Sequence, residues 1–183
     1  MIDARISDAD QQRLLRLARR ALEARVRGQA APPLERGAGL DLPRGAFVTI
    51  HHRGDLRGCL GRLDIDWPLA RTVAHLAAEV SDSDPRFPPV STEEIVDLTI
   101  EISILTPERD VASVEEIDVG RHGVIVELGR RRGLLLPQVA IEHRWDRHTL
   151  LAQTCLKAGL PLDAWRHGAR VRVFEAQVCV ELP

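Results

Sequence analysis

The stretch AFVTIHHRGDLRGCLG, residues 46–61, predicts a β-hairpin and therefore an antiparallel sheet. Two runs of strand-forming residues flank a turn over residues 52–55, where Gly54 supplies the backbone freedom that a tight turn needs. Simple pairing about this turn places Cys59 opposite Val48. Side chains two residues apart share a face of a strand, so Arg57, predicted to lie opposite Ile50, points the same way as Cys59.

On both sides of this hairpin the sequence predicts helices, and most of the further strands come as hairpins, which favours an α+β fold with antiparallel sheets. Helices are predicted over residues 8–27 (capped by Ser7 or Asp8), 66–80 (capped by Asp66) and 145–160 (capped by Asp146), with a short helical turn at STEE, 91–94. Strands are predicted at LTIEISIL, 98–105, in a second hairpin that turns through residues 129–133, and near the C-terminus, where a change of parity at Phe174 suggests a β-bulge.

Composition limits the classes of function. The 183 residues carry 25 basic and 27 acidic side chains, a net charge of −2, whereas nucleic-acid binding usually goes with a basic surplus. GRRRG, residues 129–133, could contact phosphate, but no aromatic residues interleave to stack on bases. No apolar run approaches the roughly 20 residues of a membrane helix. We expect a soluble cytoplasmic protein that binds neither membrane nor nucleic acid.

The cysteines and histidines show no metal-binding pattern. Cys59, Cys155 and Cys179 are odd in number and widely spaced, unlike a disulfide framework or a CxxC zinc motif. His51 and His52 are adjacent, so on a strand they face opposite sides and cannot chelate one ion. HExxH and phosphate-loop motifs are absent from the sequence. No metal and no cofactor are predicted, although a site assembled from scattered residues stays open.

Cys59 is the candidate catalytic residue, because a thiol lies between two glycines in LRGCLG, residues 56–61. A neighbouring guanidinium from Arg57 would favour the nucleophilic thiolate, or clamp an anionic ligand beside it. His52 lies roughly 13 Å along the strand from the residue opposite Cys59, too far for a general base. His75, His122 and His143 stay open as bases. The alternative is that Cys59 only packs in the interior, as free cysteines often do.

A second candidate surface is DPRFPP, residues 84–89. Its three prolines restrict their own backbone and that of the preceding residues, so the loop is predicted to be stiff. Such loops often present binding residues, here Arg86 and Phe87. The alternative is a plain connection in which Phe87 fills the core.

Several motifs together resemble the AMMECR-one (AMMECR1) family, whose bacterial and archaeal members are called AmmeMemoRadiSam system protein A. The resemblance covers roughly residues 10–182. The motifs, in chain order, are LRGCLG (56–61), DPRFPP (84–89), IEISILTP (100–107), GRHGVIV (120–126), GLLLPQVA (133–140) and WDRHTLLAQTCLKAGL (145–160), with Trp165 beyond them. Leu60 stands where the family hexamer usually has isoleucine, a conservative difference.

The resemblance implies one AMMECR1-like domain over residues 8–182, made of two intimately packed subdomains with antiparallel sheets flanked by helices. It places LRGCLG at or near a cleft. It also implies association with a Memo-like protein and a radical SAM protein. The candidate binding residues on this interpretation are Arg57, Gly58, Gly61, Arg86, Phe87, His122 and Gln138.

Two hypotheses follow. In the first, the chain is a cleft-bearing binding or accessory protein, and Cys59 only fills space. In the second, it is an enzyme that uses Cys59 as a nucleophile or redox thiol on a small anionic or peptide substrate. The absence of an evident base, metal site or cofactor motif favours the first. An RNA-related role is a distant third.

Overall fold

The computed structural model describes residues 5–181, so residue 182, the predicted end of the domain, lies outside the described residues. Its α-helices are α1 (Asp8–Val26), α2 (Leu69–Glu79), α3 (Pro137–Glu142) and α4 (Arg147–Lys157). Its strands are β1 (Ala46–His52), β2 (Asp55–Arg62), β3 (Leu98–Leu105), β4 (Arg109–Asp110), β5 (His122–Leu128), β6 (Arg131–Leu135) and β7 (Arg170–Val180). Three short 3₁₀ turns cover Glu94–Asp97, Val114–Glu116 and Ala164–Arg166. The α+β prediction is confirmed.

The chain divides into two compact units. One contains the residues up to Leu105 and those from Gln177 onward, and the other contains Thr106–Ala176. Strand β7 therefore begins in the second unit and ends in the first. No helix within residues 5–181 combines the length and the apolar character needed to cross a membrane.

In the first unit, β1 is paired with β2 on one side and with β3 on the other, antiparallel in both cases. Alternate side chains of β1 and β3 form a buried face, as expected for a strand with period two. Helices α1 and α2 pack against each other and against this sheet. The buried face of the sheet comprises Ala46, Val48, Ile50, Ile100, Ile102 and Ile104.

The predicted hairpin forms, but its register was wrong beyond the turn. His52 pairs with Asp55 as expected, and the pairing then shifts at a bulge between Ile50 and His51. Cys59 consequently lies opposite Thr49, not Val48, and Gly58 takes the place predicted for Arg57 opposite Ile50. The extra residue in β2 is Arg57, which has no partner of its own in the ladder.

Two of the three predicted helix caps are confirmed. Ser7 caps α1 by accepting the N–H of Asp10, and Asp146 caps α4 by accepting the N–H of Thr149. The cap predicted at Asp66 was wrong, because α2 begins only at Leu69 with Pro68 in the cap position. The Asp66 carboxylate instead pairs with Arg62 at 2.7 Å.

The second unit is built on β5, which pairs antiparallel with β6 and β7, while the short β4 pairs with β7. Helix α4 packs on β5 and β6, and a Cβ added at Gly133 of β6 would lie 2.5 Å from the backbone nitrogen of Ala158. The bulge predicted near Phe174 is absent from the pairing with β5, which is continuous along Arg170–Glu175. Further along β7, Cys179 is buried, whereas Val178 and Val180 are exposed.

Candidate functional site

The Asp84 carboxylate joins the loop after α2 to the edge strand β2. Its side chain is only 3% exposed. It accepts the backbone N–H groups of Cys59 (2.9 Å) and Arg86 (3.1 Å), and it receives Nε and Nη2 of Arg86 at 2.9 and 2.7 Å. These four donors fill the roughly four lone-pair positions of a carboxylate. The Arg86 guanidinium and, less strongly, the two N–H groups hold the pKa of Asp84 well below its usual range, although burial opposes them.

Arg57 connects the same loop to β2 at a second point. Its guanidinium forms a fork with Glu94, with Nε and Nη2 donating at 2.8 and 3.1 Å, and it also donates to the carbonyls of Pro88 (2.9 Å) and Pro89 (3.3 Å). Its side chain is 12% exposed. The Arg57 guanidinium lowers the pKa of Glu94 to about 2 against the opposing effect of burial. Arg57, the bulged residue, therefore directs its donors to two carbonyls of the loop and to Glu94, which follows the loop in the chain.

Arg86 and Phe87 form the accessible part of this loop. The Arg86 side chain is 55% exposed, and its two contacts with Asp84 leave the Nη1 N–H groups available. Phe87 is half-buried, with the guanidinium carbons of Arg86 and Arg57 at 5.4 and 6.0 Å from its ring centre. Phe87 is therefore held by two cations at the surface and does not fill the core. Asp84 and, more weakly, Cys59 raise the pKa of Arg86.

The Cys59 thiol is partly exposed. Its sulfur accepts a hydrogen bond from the Thr49 hydroxyl at 3.2 Å, across the strand pair. Thr49 in turn pairs with Glu101 on β3, so the three residues form one row on the sheet face opposite the helices. The corrected register also puts His51, not His52, on the face of Cys59, two residues along β1 from Thr49.

The two glycines beside Cys59 permit different close approaches. A Cβ at Gly58 would lie 3.0 Å from the carbonyl oxygen of Val80, so this position lets β2 approach the end of α2. A Cβ at Gly61 would lie 2.2 Å from the Phe47 ring, which covers Gly61 from the neighbouring strand. Both glycines therefore serve local packing in this structure.

Cys155 and Cys179 differ from Cys59 in being buried. Burial raises the pKa of the Cys155 thiol, and it raises the pKa of the Cys179 thiol to about 11. Both belong to hydrophobic clusters, Cys179 in the first unit and Cys155 in the second. Their environment is that of packing residues.

Two residues of the predicted binding set, His122 and Gln138, belong to the second unit. His122 is buried, and its Nδ1 accepts the backbone N–H of Asp118 at 3.0 Å. Burial, with a smaller effect of Arg109, lowers the pKa of His122. Gln138 lies in the first turn of α3. Their binding roles stay predictions, as does the absence of a metal; residues 5–181 contain no group of three or more His, Cys, Asp or Glu side chains placed to hold an ion.

Two of the residues that fix the site, Asp84 and Glu94, were not in the predicted set, whereas their partners Arg86 and Arg57 were. Each acid stands within a quoted motif, DPRFPP or STEE, but the β2 residues that they hold, Cys59 and Arg57, lie 25 and 37 residues away. The contact of Thr49 with Cys59 was missed because the predicted pairing lacked the bulge and placed Cys59 opposite Val48. A signal was present in the sequence, since acidic residues in stiff loops near arginines often form forks.

Comparisons with known proteins agree with this architecture. The family model described as AMMECR1 matches residues 15–179. A relative from Methanosarcina acetivorans is 43% identical over 178 residues, covering 91% of this chain and 89% of its own, and one from Thermofilum pendens is 43% identical over 196 residues, covering 97% and 92%. The crystal structure of an uncharacterised protein from Pyrococcus horikoshii matches with a TM-score of 0.86 and 39% identity, covering 96% of this chain and 93% of the other. The chain therefore belongs to the AMMECR1 family.

Proposed function

We propose that this AMMECR1 protein is a binding or accessory protein, and that its binding surface is formed by β2 around Cys59 and by the loop 84–89. One observation carries the proposal: the loop is bonded to β2 at two points, where Asp84 accepts the Cys59 N–H and where Arg57 donates to the carbonyls of Pro88 and Pro89. A surface that is already ordered loses little conformational entropy when it binds.

The chemistry of this surface favours an anionic ligand. The exposed Nη1 groups of Arg86 can form a charge-assisted pair with a carboxylate or phosphate. Phe87 offers an apolar surface beside it, and the Cys59 thiol is a third accessible group. An acidic side chain of a partner protein fits this combination, and a small anion is the simpler ligand of the same chemistry.

Catalysis by Cys59 is less well supported by the same geometry. The Cys59 N–H is already donated to Asp84, so it is not available to stabilise an oxyanion. The Asp84 carboxylate is filled by four donors and cannot take a proton from the thiol. The hydrogen-bond partner of the sulfur is a threonine hydroxyl, which is not a general base at neutral pH.

We further propose that the partner is one of the two suggested by the family resemblance, a Memo-like protein or a radical SAM protein, and that they meet in the cytoplasm. Isothermal titration of each purified candidate, from the same genome, into this protein tests both parts. Binding that weakens in Arg86→Gln supports the surface and names the partner. If a candidate binds equally to wild type and Arg86→Gln, the assigned surface is wrong.

The second candidate function is an enzyme that uses Cys59 as a nucleophile, and a specific observation favours it. The thiol is accessible, and the Thr49 hydroxyl donates to its sulfur, which would stabilise a thiolate. This function predicts a covalent adduct on Cys59, detected by mass spectrometry after incubation with a cell extract. It also predicts that Cys59→Ser abolishes the cellular role while leaving the fold unchanged.

A further inference from the structure

A cavity of about 480 Å³ lies on the helical side of the first unit. Its walls come from α1, from α2 and from the connection that follows α1. The volume is within the range of small-molecule sites. The apolar lining includes Leu34 and the small side chains of Ala21, Ala24, Ala31, Ala74 and Ala78. Cys59, Arg86 and Phe87 are not among the lining residues, so this cavity is separate from the surface proposed above.

One end of the cavity carries a positive charge, that of Arg71. Arg71 lines the cavity and is exposed, and its guanidinium carbon lies 4.0 Å from the ring centre of Trp67. Within residues 5–181 no carboxylate lies within ion-pair distance of Arg71, but Asp66 is a neighbour: the pKa of Asp66 is lowered mainly by its hydrogen bond with Arg62 and, to a smaller extent, by the charge of Arg71. His75, one helical turn later on the same face of α2, also lines the cavity and meets Trp67 edge-on at 5.3 Å.

The other arginine of the lining is already neutralised. Arg25 donates to Asp82 at 2.8 Å and lies 3.9 Å from Glu79. The cavity is therefore asymmetric, with an apolar middle, an ion-paired arginine at the Arg25 end, and at the other end Arg71, which makes no direct ion pair. Stacking on Trp67 holds that guanidinium in place, which reduces the entropy lost when it binds a planar anion.

We propose that this cavity binds an amphipathic monoanion, an aliphatic chain that ends in a carboxylate. The carboxylate pairs with Arg71, and the chain lies along the alanine side chains of α1 and α2. Arg71 is the arginine of the lining that makes no direct ion pair, and two parallel N–H groups of its guanidinium match a carboxylate. Arg71 is the specificity-determining residue, because the apolar lining alone would not distinguish an acid from an alcohol.

Isothermal titration of decanoate and decan-1-ol into the full chain tests this proposal. Decanoate should bind saturably, and Arg71→Gln should weaken it about tenfold, the loss expected for one charge-assisted pair. Decan-1-ol should bind wild type and Arg71→Gln equally. Arg16→Gln removes the same charge from an exposed position of α1 away from the cavity, so it should leave the decanoate affinity unchanged.

A second variant tests the location independently of charge. Ala78→Phe fills the cavity from α2 and should abolish binding of both probes, with circular dichroism confirming that the helices persist. The proposal is overturned if decanoate does not saturate, if Arg71→Gln binds it as tightly as wild type does, or if a folded Ala78→Phe retains full affinity.

Discussion

The Asp84 carboxylate accepts the backbone N–H of Cys59 at 2.9 Å, across 25 positions of the chain. Strand β2 is at the edge of the sheet, so this N–H has no neighbouring strand to pair with. The side chain of Asp84 supplies the missing acceptor. The same carboxylate holds Arg86, so the position of the exposed guanidinium relative to the Cys59 thiol is determined by one buried acid.

Asp84→Ala should destabilise the protein by about 2 kcal/mol, because it leaves the Cys59 N–H without an acceptor and the Arg86 charge without its partner. Urea denaturation followed by circular dichroism measures this loss. Asp82→Ala is the matched control, since Asp82 pairs with Arg25 at an exposed position, where such pairs contribute less than about 1 kcal/mol. Equal losses in the two variants would show that Asp84 is an ordinary surface acid.

The Glu94–Arg57 ion pair should make the free energy of unfolding depend on pH in the acidic range. The pKa of Glu94 in the folded protein is about 2, below its ordinary value of 4.5. Its contribution is therefore present above pH 4.5 and is lost as the pH falls towards 2, with about 2 kcal/mol lost by pH 3. Between pH 7 and pH 3 the urea midpoint of Glu94→Gln should fall less than that of wild type. An exposed control, Glu142→Gln, should follow wild type; a Glu94→Gln curve parallel to wild type would contradict the assignment.

The Gly61–Phe47 contact can be measured as a coupling between two positions. Gly61→Ala should cost about 1–3 kcal/mol, since the new methyl group would meet the Phe47 ring. In a Phe47→Leu background the same substitution should cost clearly less, because the smaller side chain leaves room. A double-mutant cycle from urea denaturation gives this difference directly. If Gly61→Ala costs the same in both backgrounds, the ring does not limit this position.

The three thiols should differ in reactivity in the folded protein. Cys59 is partly exposed, whereas Cys155 and Cys179 are buried and burial raises the pKa of both. At pH 8, iodoacetamide should label Cys59 at least about tenfold faster than the other two, as followed by peptide mass spectrometry. If all three thiols are labelled at the same rate, and only when the protein unfolds, then Cys59 is buried as well.

The sequence predicted those parts of the fold that depend on local pattern. The hairpin at 46–61, the caps at Ser7 and Asp146 and the strand 98–105 follow from turn chemistry and periodicity. The bulge at Arg57 could not be predicted, because simple pairing rules match each residue of one strand with a single residue of the other. The extra residue is stabilised by distant contacts with Glu94 and with the carbonyls of the proline loop.

The site shows the same division. Cys59, Arg86 and Phe87 were predicted because short motifs carry them, and the structure places all three at or beside one loop. The role of Arg57 differs from the prediction in a physical way: a guanidinium that already donates to a carboxylate and two carbonyls has little left for a ligand. Asp84 was missed because its burial and its bond with the Cys59 N–H, 25 residues away, arise only in the folded chain.

The most direct test of the central claim compares two substitutions on one complex. With the partner identified by titration, the dissociation constant is measured for wild type, Cys59→Ala and Arg86→Gln. We predict that Cys59→Ala binds within about twofold of wild type, whereas Arg86→Gln binds about tenfold more weakly, as expected for loss of one charge-assisted contact. Normal binding by Arg86→Gln together with loss of binding by Cys59→Ala would contradict the account and make the thiol the functional group.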